Sequence, residues 1–368
     1  MARKFGKKNT IKINPIDYNI GLIGESGIGK TTLAKEFCEK LVGDDGYILL
    51  NIGKEDAVDA ISGVVYEDIP NWSVFEELVE DIIENRLTDY KNLKMLVYDT
   101  LDQFFDIAEA EVIRMNNSDP ERKKVETIKS AFGGYQAGEN KVIEIILNKL
   151  WELKSIGVNF FILGHTKRRT MTDPTSGSEY DMLTTNMMHK YFNAINTKLH
   201  FLGIASIDRA IEQKNVIQKF NKQIKKVGKV TNEKRIITFR DDDYTINSKS
   251  RFKDVTPCIQ FDTSLFIEAL EEAIEKEAEK DGSSKSIKER KKEQQLVKEQ
   301  KVEKEVKNIT AVSKNKKLIG QIKKGLKDVS AEDAAKFKEI MSREEIKSFD
   351  HPELIDTKVL EEIVSIFK

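Results

Sequence analysis

Gly24-Glu25-Ser26-Gly27-Ile28-Gly29-Lys30-Thr31 decides how the rest of this chain is read. The stretch has the form G-x-x-x-x-G-K-[ST], and each residue type answers a need of a bound phosphate. The glycines let the backbone fold so that several N–H groups face one anion, and a helix starting near Lys30 adds the positive end of its dipole. Lys30 would reach the outer phosphates, and the Thr31 hydroxyl would ligate Mg²⁺. The phosphate-binding set therefore runs from Gly24 through Thr31 and its neighbour Thr32. The flanks give the motif its meaning. Ile20-Gly21-Leu22-Ile23 is a short apolar run, read as a buried strand, and Leu33, Ala34, Phe37 and Leu41 follow at helical spacing.

Outward from this loop the pattern repeats. Gly46 to Asn51, Met95 to Asp99, Phe160 to Gly164 and Leu199 to Ala205 read as further strands. Val74 to Ile83 and Val142 to Leu153 read as amphipathic helices between them. Alternation of this kind predicts an α/β fold, a mostly parallel sheet with helices on both faces. Arg235 to Arg240 and Tyr244 to Asn247 flank Asp241-Asp242-Asp243 and read as a β-hairpin closing the domain. The boundary is placed near Asp262, giving a core over 1–262. Residues 263–315 are rich in Glu and Lys, broken by Asp281-Gly282-Ser283-Ser284, and read as a charged helical linker without a sustained heptad stripe. Residues 316–368 regain apolar content at Leu318, Ile322, Leu326, Phe337, Ile340, Met341, Leu360, Ile363 and Phe367, and read as a small helical module whose helix starts at Ser330.

Composition narrows the classes. The chain has 368 residues, 61 Lys and Arg against 62 Asp and Glu, so any nucleic-acid patch must be local rather than a property of the whole charge. With two cysteines and no C-x-x-C, a disulfide framework or zinc site is not expected, and a reducing cytoplasm is the expected location. No apolar run approaches the ~18 residues of a membrane span.

The phosphate loop needs partners. A magnesium-holding carboxylate belongs at the end of a neighbouring apolar strand, which selects Asp99, with Asp102 as a second candidate. Hydrolysis needs a group to orient or deprotonate water, for which Glu55, after the second strand, and Glu25, inside the loop, compete.

These landmarks, in order from about Asn19 to Phe252, resemble the RecA-like P-loop ATPases, and among them the small phage nucleotide-binding proteins grouped with single-strand annealing recombinases. Glu55-Asp56-Ala57-Val58-Asp59 resembles the family's E-x-A-L-D stretch, which implies Glu55 as the water-activating residue and Asp59 as an adenine contact. The family's adenine-stacking Tyr is not matched: Ser62 stands there, with Tyr66 nearby. Leu163-Gly164-His165 resembles the strand ending in a γ-phosphate sensor, with His165 where the family carries Gln. Lys249-Ser250-Arg251-Phe252 resembles the K-x-R-F element, which implies that Lys249 and Arg251 reach the ATP of a neighbouring subunit. Segments carrying Arg122-Lys123-Lys124 with Gly133-Gly134-Tyr135, and Lys167-Arg168-Arg169 with Tyr180, occupy the places of the family's DNA-contacting loops.

What the resemblance implies is an oligomeric ATPase, using ATP and Mg²⁺, acting on single-stranded DNA in phage recombination, annealing or repair, with residues 316–368 as a tether for a partner protein. A helicase or helicase-loader motor shares the fold and most of the site. A small-molecule kinase shares the loop, but it leaves Glu55, Lys249 and Arg251 without a role. The absence of N-K-x-D speaks against a GTPase, and the absence of L-S-G-G-Q against a transporter ATPase.

Overall fold

The computed structural model describes residues 6, 9–53, 57–173, 175–217, 224–240, 249–280, 285–326, 329–344, 346 and 348–367. The chain divides into two compact units, Met1–Leu78 with Asn92–Leu296, and Val79–Lys91 with Val297–Lys368.

The first unit is organised by a single sheet. Its strands are β1 (Ile20–Gly24), β2 (Tyr47–Ile52), β3 (Tyr66–Ile69), β4 (Met95–Asp99), β5 (Asn159–Thr172), β6 (Glu179–Thr185), β7 (Phe201–Ile217), β8 (Ile224–Thr238), β9 (Lys249–Ser250) and β10 (Cys258–Gln260). The path runs β10-β8-β7-β1-β5-β4-β2-β3, with β6 paired to β5 and β9 to β7. From β7 across to β3 every pairing on that path is parallel, and the pairings of β8, β9, β10 and β6 are antiparallel. Every residue of β1 and β4 is buried, as expected of parallel strands covered on both faces.

Neighbouring residues of β5 show how the two faces are filled, because successive strand side chains point to opposite sides. Phe161 packs against Phe37 of α1 (Lys30–Val42), ring centroids 5.4 Å apart, and lies parallel to Phe266 of α6 (Thr263–Glu279) at 6.1 Å. Phe160 meets Trp151 of α4 (Ala137–Ser155) at 6.1 Å. On Phe104 of α3 (Leu101–Ser118), Trp72 of α2 (Trp72–Glu84) stacks at 5.6 Å and Phe75 meets it edge-to-face at 4.9 Å. The fold is thus the expected mostly parallel sheet between helical layers.

Differences from the sequence expectation have local causes. Strands β3 and β6 carry no clean apolar alternation. Three of the four residues of β3 are exposed, and β6 exists only because β5 runs on beyond the sheet and folds back on itself. Of the expected hairpin, Arg235 to Thr238 belongs to β8, which pairs with β7 and β10, while Asp241 to Asn247 lies outside the described residues. Asp262, where the sequence places a boundary, caps α6 by accepting from the N–H groups of Ser264 and Leu265 at 2.8 and 3.0 Å. Phe266, Ala269, Leu270, Ala273 and Ile274 of that helix are buried in the same core as β1 and α1, so the first half of the charged stretch packs as part of the sheet unit.

The second unit gathers Ile319 and Ile322 of α7 (Ile287–Gly325), Ile340 of α8 (Ala331–Arg343), and Leu360, Ile363 and Val364 of α9 (Thr357–Ile366) into its own apolar core. Ser330 caps α8 through the N–H of Asp333 at 3.1 Å. No helix among the described residues is long and apolar enough to cross a membrane.

Candidate functional site

The site forms at the carboxyl ends of β1, β5 and β4, where ligands of open parallel sheets collect. Gly24 leaves β1 in register with His165 on one side and Ala205 on the other. Its lack of a side chain is required there: a Cβ would stand 2.6 Å from the Ala205 carbonyl oxygen. The loop then turns into α1 through Gly29, whose φ of 107° is open to glycine at little cost. No side chain caps α1, so its first N–H groups face the loop.

Lys30 is buried, 6 % exposed, and its Nζ donates to the carbonyls of Gly24 and Glu25 at 3.2 and 3.0 Å. Thr31 Oγ1 donates to Asp99 Oδ2 at 2.7 Å. Two residues expected to share a magnesium ion are therefore side by side, although β5 separates their strands. Among the described residues no group of three or more His, Cys, Asp or Glu could hold a metal. A divalent cation here would take its remaining ligands from phosphate and water, as Mg²⁺ does in phosphate sites. The uncapped helix, the glycine turn, the buried lysine and the Thr–Asp oxygens all fit a nucleoside triphosphate with Mg²⁺. Thr32, next in α1, is exposed.

His165 ends the parallel part of β5, and its Nδ1 lies 2.9 Å from Oδ2 of Asp102. Asp102 thus serves the histidine rather than the Thr31 side of the loop. Burial pushes the Asp102 carboxyl up, but the hydrogen bond and charge of His165 outweigh it and hold the group below the usual carboxylate range.

Two neighbours of the loop have no sequence signal of their own. Arg235 of β8 donates through Nη1 to the Ile28 carbonyl at 3.2 Å, and the Phe261 ring lies against Gly29, its edge 3.4 Å from where a Cβ would stand. Arg235 arrives on β8 and Phe261 just after β10, both far along the chain, so only sheet order could have found them.

Glu55 and Asp56 lie outside the described residues. Asp59 sits in a short 3-10 turn, Ala57–Ala60, and is exposed; Tyr66 is 43 % exposed on the edge strand β3. Lys249 and Arg251 stand toward the end of β1 opposite the loop, since Lys249 and Ser250 pair with Leu202 and Phe201, which are level with Gly21 and Ile20. Lys249 Nζ donates to the Asn196 carbonyl, and Arg251 donates to the Leu199 and Thr197 carbonyls. They cover the carboxyl end of α5 (His189–Asn196), a favourable place for cations.

Beyond His165, β5 and β6 form an antiparallel hairpin, Thr166↔Thr185 through Thr172↔Glu179. Alternation separates its two faces. Arg168 lies 3.7 Å from Asp181, and Thr170 donates to Asp181 at 2.9 Å. The other face carries Lys167, Arg169 and Tyr180, with no carboxylate in ion-pair reach of the two cations among the described residues. The connection from α3 to α4 encloses an open cavity of about 800 Å³ lined by Arg122, Lys123, Lys124 and Lys129 together with Glu126, and Arg122 is paired with Asp119 at 2.8 Å. Buried Asn116 pins that connection, donating to the Lys123 carbonyl at 3.0 Å and accepting from the Phe132 N–H at 2.9 Å. Tyr135 projects from it fully exposed.

This fold and this loop define a P-loop ATPase domain built on a mostly parallel sheet. Residues 16–252 match the profile of AAA_24, an AAA domain, and the chain belongs to that family. No curated protein matches it. Among solved structures it is similar to a prototypical ATPase from the type III secretion system of pathogenic bacteria, at 11% identity and TM-score 0.29 over 51% of each chain. It is also similar to the flagellar accessory protein FlaH from Methanocaldococcus jannaschii, at 10% identity and TM-score 0.27, covering 61% of this chain and 86% of that one. The chain thus spans about half the length of the secretion ATPase.

Proposed function

We propose that this protein binds and hydrolyses ATP with Mg²⁺ and couples that cycle to single-stranded DNA in recombination, annealing or repair, as a homo-oligomer with ATP between subunits. The observation that carries the DNA part is the β5–β6 hairpin. It grows from the same strand that brings His165 to the phosphate loop, and one of its faces places Lys167, Arg169 and Tyr180 together. Cations on a backbone track with an aromatic ring for stacking are what an unpaired strand requires. The cationic α3–α4 connection is tied to the helix after the hairpin, because Lys190 of α5 donates to Gln136 Oε1 at 2.8 Å.

Bound ATP with its cation supplies the scissile phosphoryl bond. Lys30 neutralises the outer phosphates, Thr31 and Asp99 hold the cation, and His165 senses the terminal phosphate. Glu55 keeps the water-activating role on family resemblance. For Lys249 and Arg251 to reach a neighbouring subunit's ATP, they would exchange the α5 carbonyls for phosphate oxygens. The second unit is assigned a partner-protein tether, with Leu354, 80 % exposed, on its surface.

The test is ATP turnover by purified protein with Mg²⁺, alone and with single-stranded or duplex DNA, beside Lys30→Ala. Turnover raised mainly by single strands and abolished in the variant is the expected result. Turnover indifferent to DNA overturns the coupling, and stimulation by forked duplex alone favours an unwinding motor.

A further inference from the structure

The end of β4 and the start of α3 each carry a carboxylate, Asp99 and Asp102, and they face different partners. Asp99 accepts from Thr31. Asp102, in the first turn of α3, meets Nδ1 of His165 at 2.9 Å, with the side chains of the histidine and the aspartate 22% and 20% exposed. The partner of His165 in the sheet is Gly24, the first residue of the phosphate loop. The imidazole is therefore fixed from behind by α3 and stands beside the loop by strand register.

A purely structural role explains this pair poorly. Among the described residues the hydroxyls of Thr100 and Thr166, which flank this turn and His165, are buried without a hydrogen-bond partner. Buried polar atoms left unsatisfied are uncommon and costly, and an apolar pair of the same shape would stabilise the fold as well. The ionised carboxylate can only accept, so the proton of the shared hydrogen bond belongs to Nδ1. Nε2 is then the ring nitrogen that this hydrogen bond does not use.

We infer that Asp102 is a positioning residue through which His165 distinguishes a nucleoside triphosphate from a diphosphate: the carboxylate holds the ring and the Nδ1 proton, and so directs Nε2 toward the terminal phosphate. This rests on the reading of residues 24–31 as an ATP site. In the neutral Nδ1–H tautomer Nε2 carries no proton, so the contact to oxygens that only the triphosphate has requires the imidazolium, whose second N–H is a charge-assisted donor. A ligand is preferred only by its differential contacts, so loss of this pair should weaken triphosphate binding and leave diphosphate binding nearly unchanged.

The experiment is calorimetric binding of Mg-ADP and of a non-hydrolysable Mg-ATP analogue to wild type, Asp102→Asn, His165→Asn, Asp106→Asn and Lys30→Ala. Nitrogen-15 spectra of the imidazoles of unliganded protein accompany it. Both Asp102→Asn and His165→Asn are expected to lower the preference for the ATP analogue over ADP by about tenfold, the scale seen when a carboxylate behind a functional histidine is removed. Asp106→Asn, one turn further along α3, should leave the preference intact. The wild-type His165 signals should show a protonated Nδ1, and Asp102→Asn should change that signature. The two histidine-pair variants guard against either one failing to fold. An unchanged preference in both, with wild type still binding both ligands, overturns the role of Asp102 while the ATP site stands. Binding by Lys30→Ala as tight as by wild type overturns the ATP-site reading and this inference with it.

Discussion

The Thr31 hydroxyl donates to Asp99 Oδ2 at 2.7 Å across 68 positions of sequence, joining the start of α1 to the end of β4 with β5 lying between their strands. That hydrogen bond brings together the two protein oxygens that, on the proposed function, would hold a phosphate-bound magnesium ion. Asp99→Asn keeps an oxygen for Thr31 but removes the charge. Turnover at saturating ATP should fall roughly 100-fold or more, because a catalytic metal supplies several kcal/mol of transition-state stabilisation. The magnesium concentration for half-maximal turnover should rise. Titration of turnover against Mg²⁺ checks both, and an unaltered magnesium requirement rejects the assignment.

Lys30→Ala removes the buried cation that donates to the loop carbonyls of Gly24 and Glu25. Its effect should fall on nucleotide binding and turnover, about 100- to 1000-fold for loss of one well-placed charge donor. Thermal unfolding of the unliganded protein should shift little by comparison.

The two faces of the β5–β6 hairpin predict unequal mutants. Lys167→Ala with Arg169→Ala should weaken single-strand binding and lower the salt slope by about 0.7 for each phosphate no longer neutralised. Arg168→Ala, whose cation lies near Asp181, should do less. Fluorescence anisotropy at several salt concentrations measures this, and equal effects from all three arginine and lysine changes refute the face assignment.

His200 makes stability depend on pH. Its Nδ1 accepts from the Asn19 N–H at 3.1 Å, and burial, reinforced by Lys154, Arg251, Lys12 and Lys249, lowers its pKa from 6.5 to about 4. The folded state therefore binds fewer protons than the unfolded state between those values, and stability rises with pH across that window. The contribution is complete above about pH 6.5 and is lost as pH falls toward 4. It should amount to about 1–2 kcal/mol after discounting for screening at a half-buried ring. Urea unfolding at pH 7.5 and 4.5 should show this dependence in wild type and less of it in His200→Gln.

Phe266→Ala tests whether α6 belongs to the sheet unit. The ring is fully buried between Phe37, Phe161 and Phe239. A loss of about 3–5 kcal/mol is expected in urea unfolding. A loss below about 1 kcal/mol would return α6 to the linker.

The parts of the site legible in the chain were those whose chemistry is local. The phosphate loop declares itself because glycine spacing, lysine and threonine must be contiguous to wrap one phosphate. Asp99 was legible because an acid ending an apolar strand has few other reasons to be there. His165 was singled out by the family resemblance, and its pairing with Asp102 was not legible at all, since nothing between residues 102 and 165 announces that α3 and β5 will meet. Arg235 and Phe261 were invisible for a similar reason: their relevance comes from β8 and β10 lying beyond β7 in the sheet.

By itself, then, the sequence determined the α/β class and pointed to the phosphate loop, because periodicity and contiguous chemistry need no knowledge of neighbours. Tertiary structure alone decided which end of β7 holds Lys249 and Arg251, which hairpin face gathers Lys167, Arg169 and Tyr180, and which carboxylate stands behind His165. Those facts follow from strand order and register, and a shift of one residue in register would send every side chain of a strand to the other face.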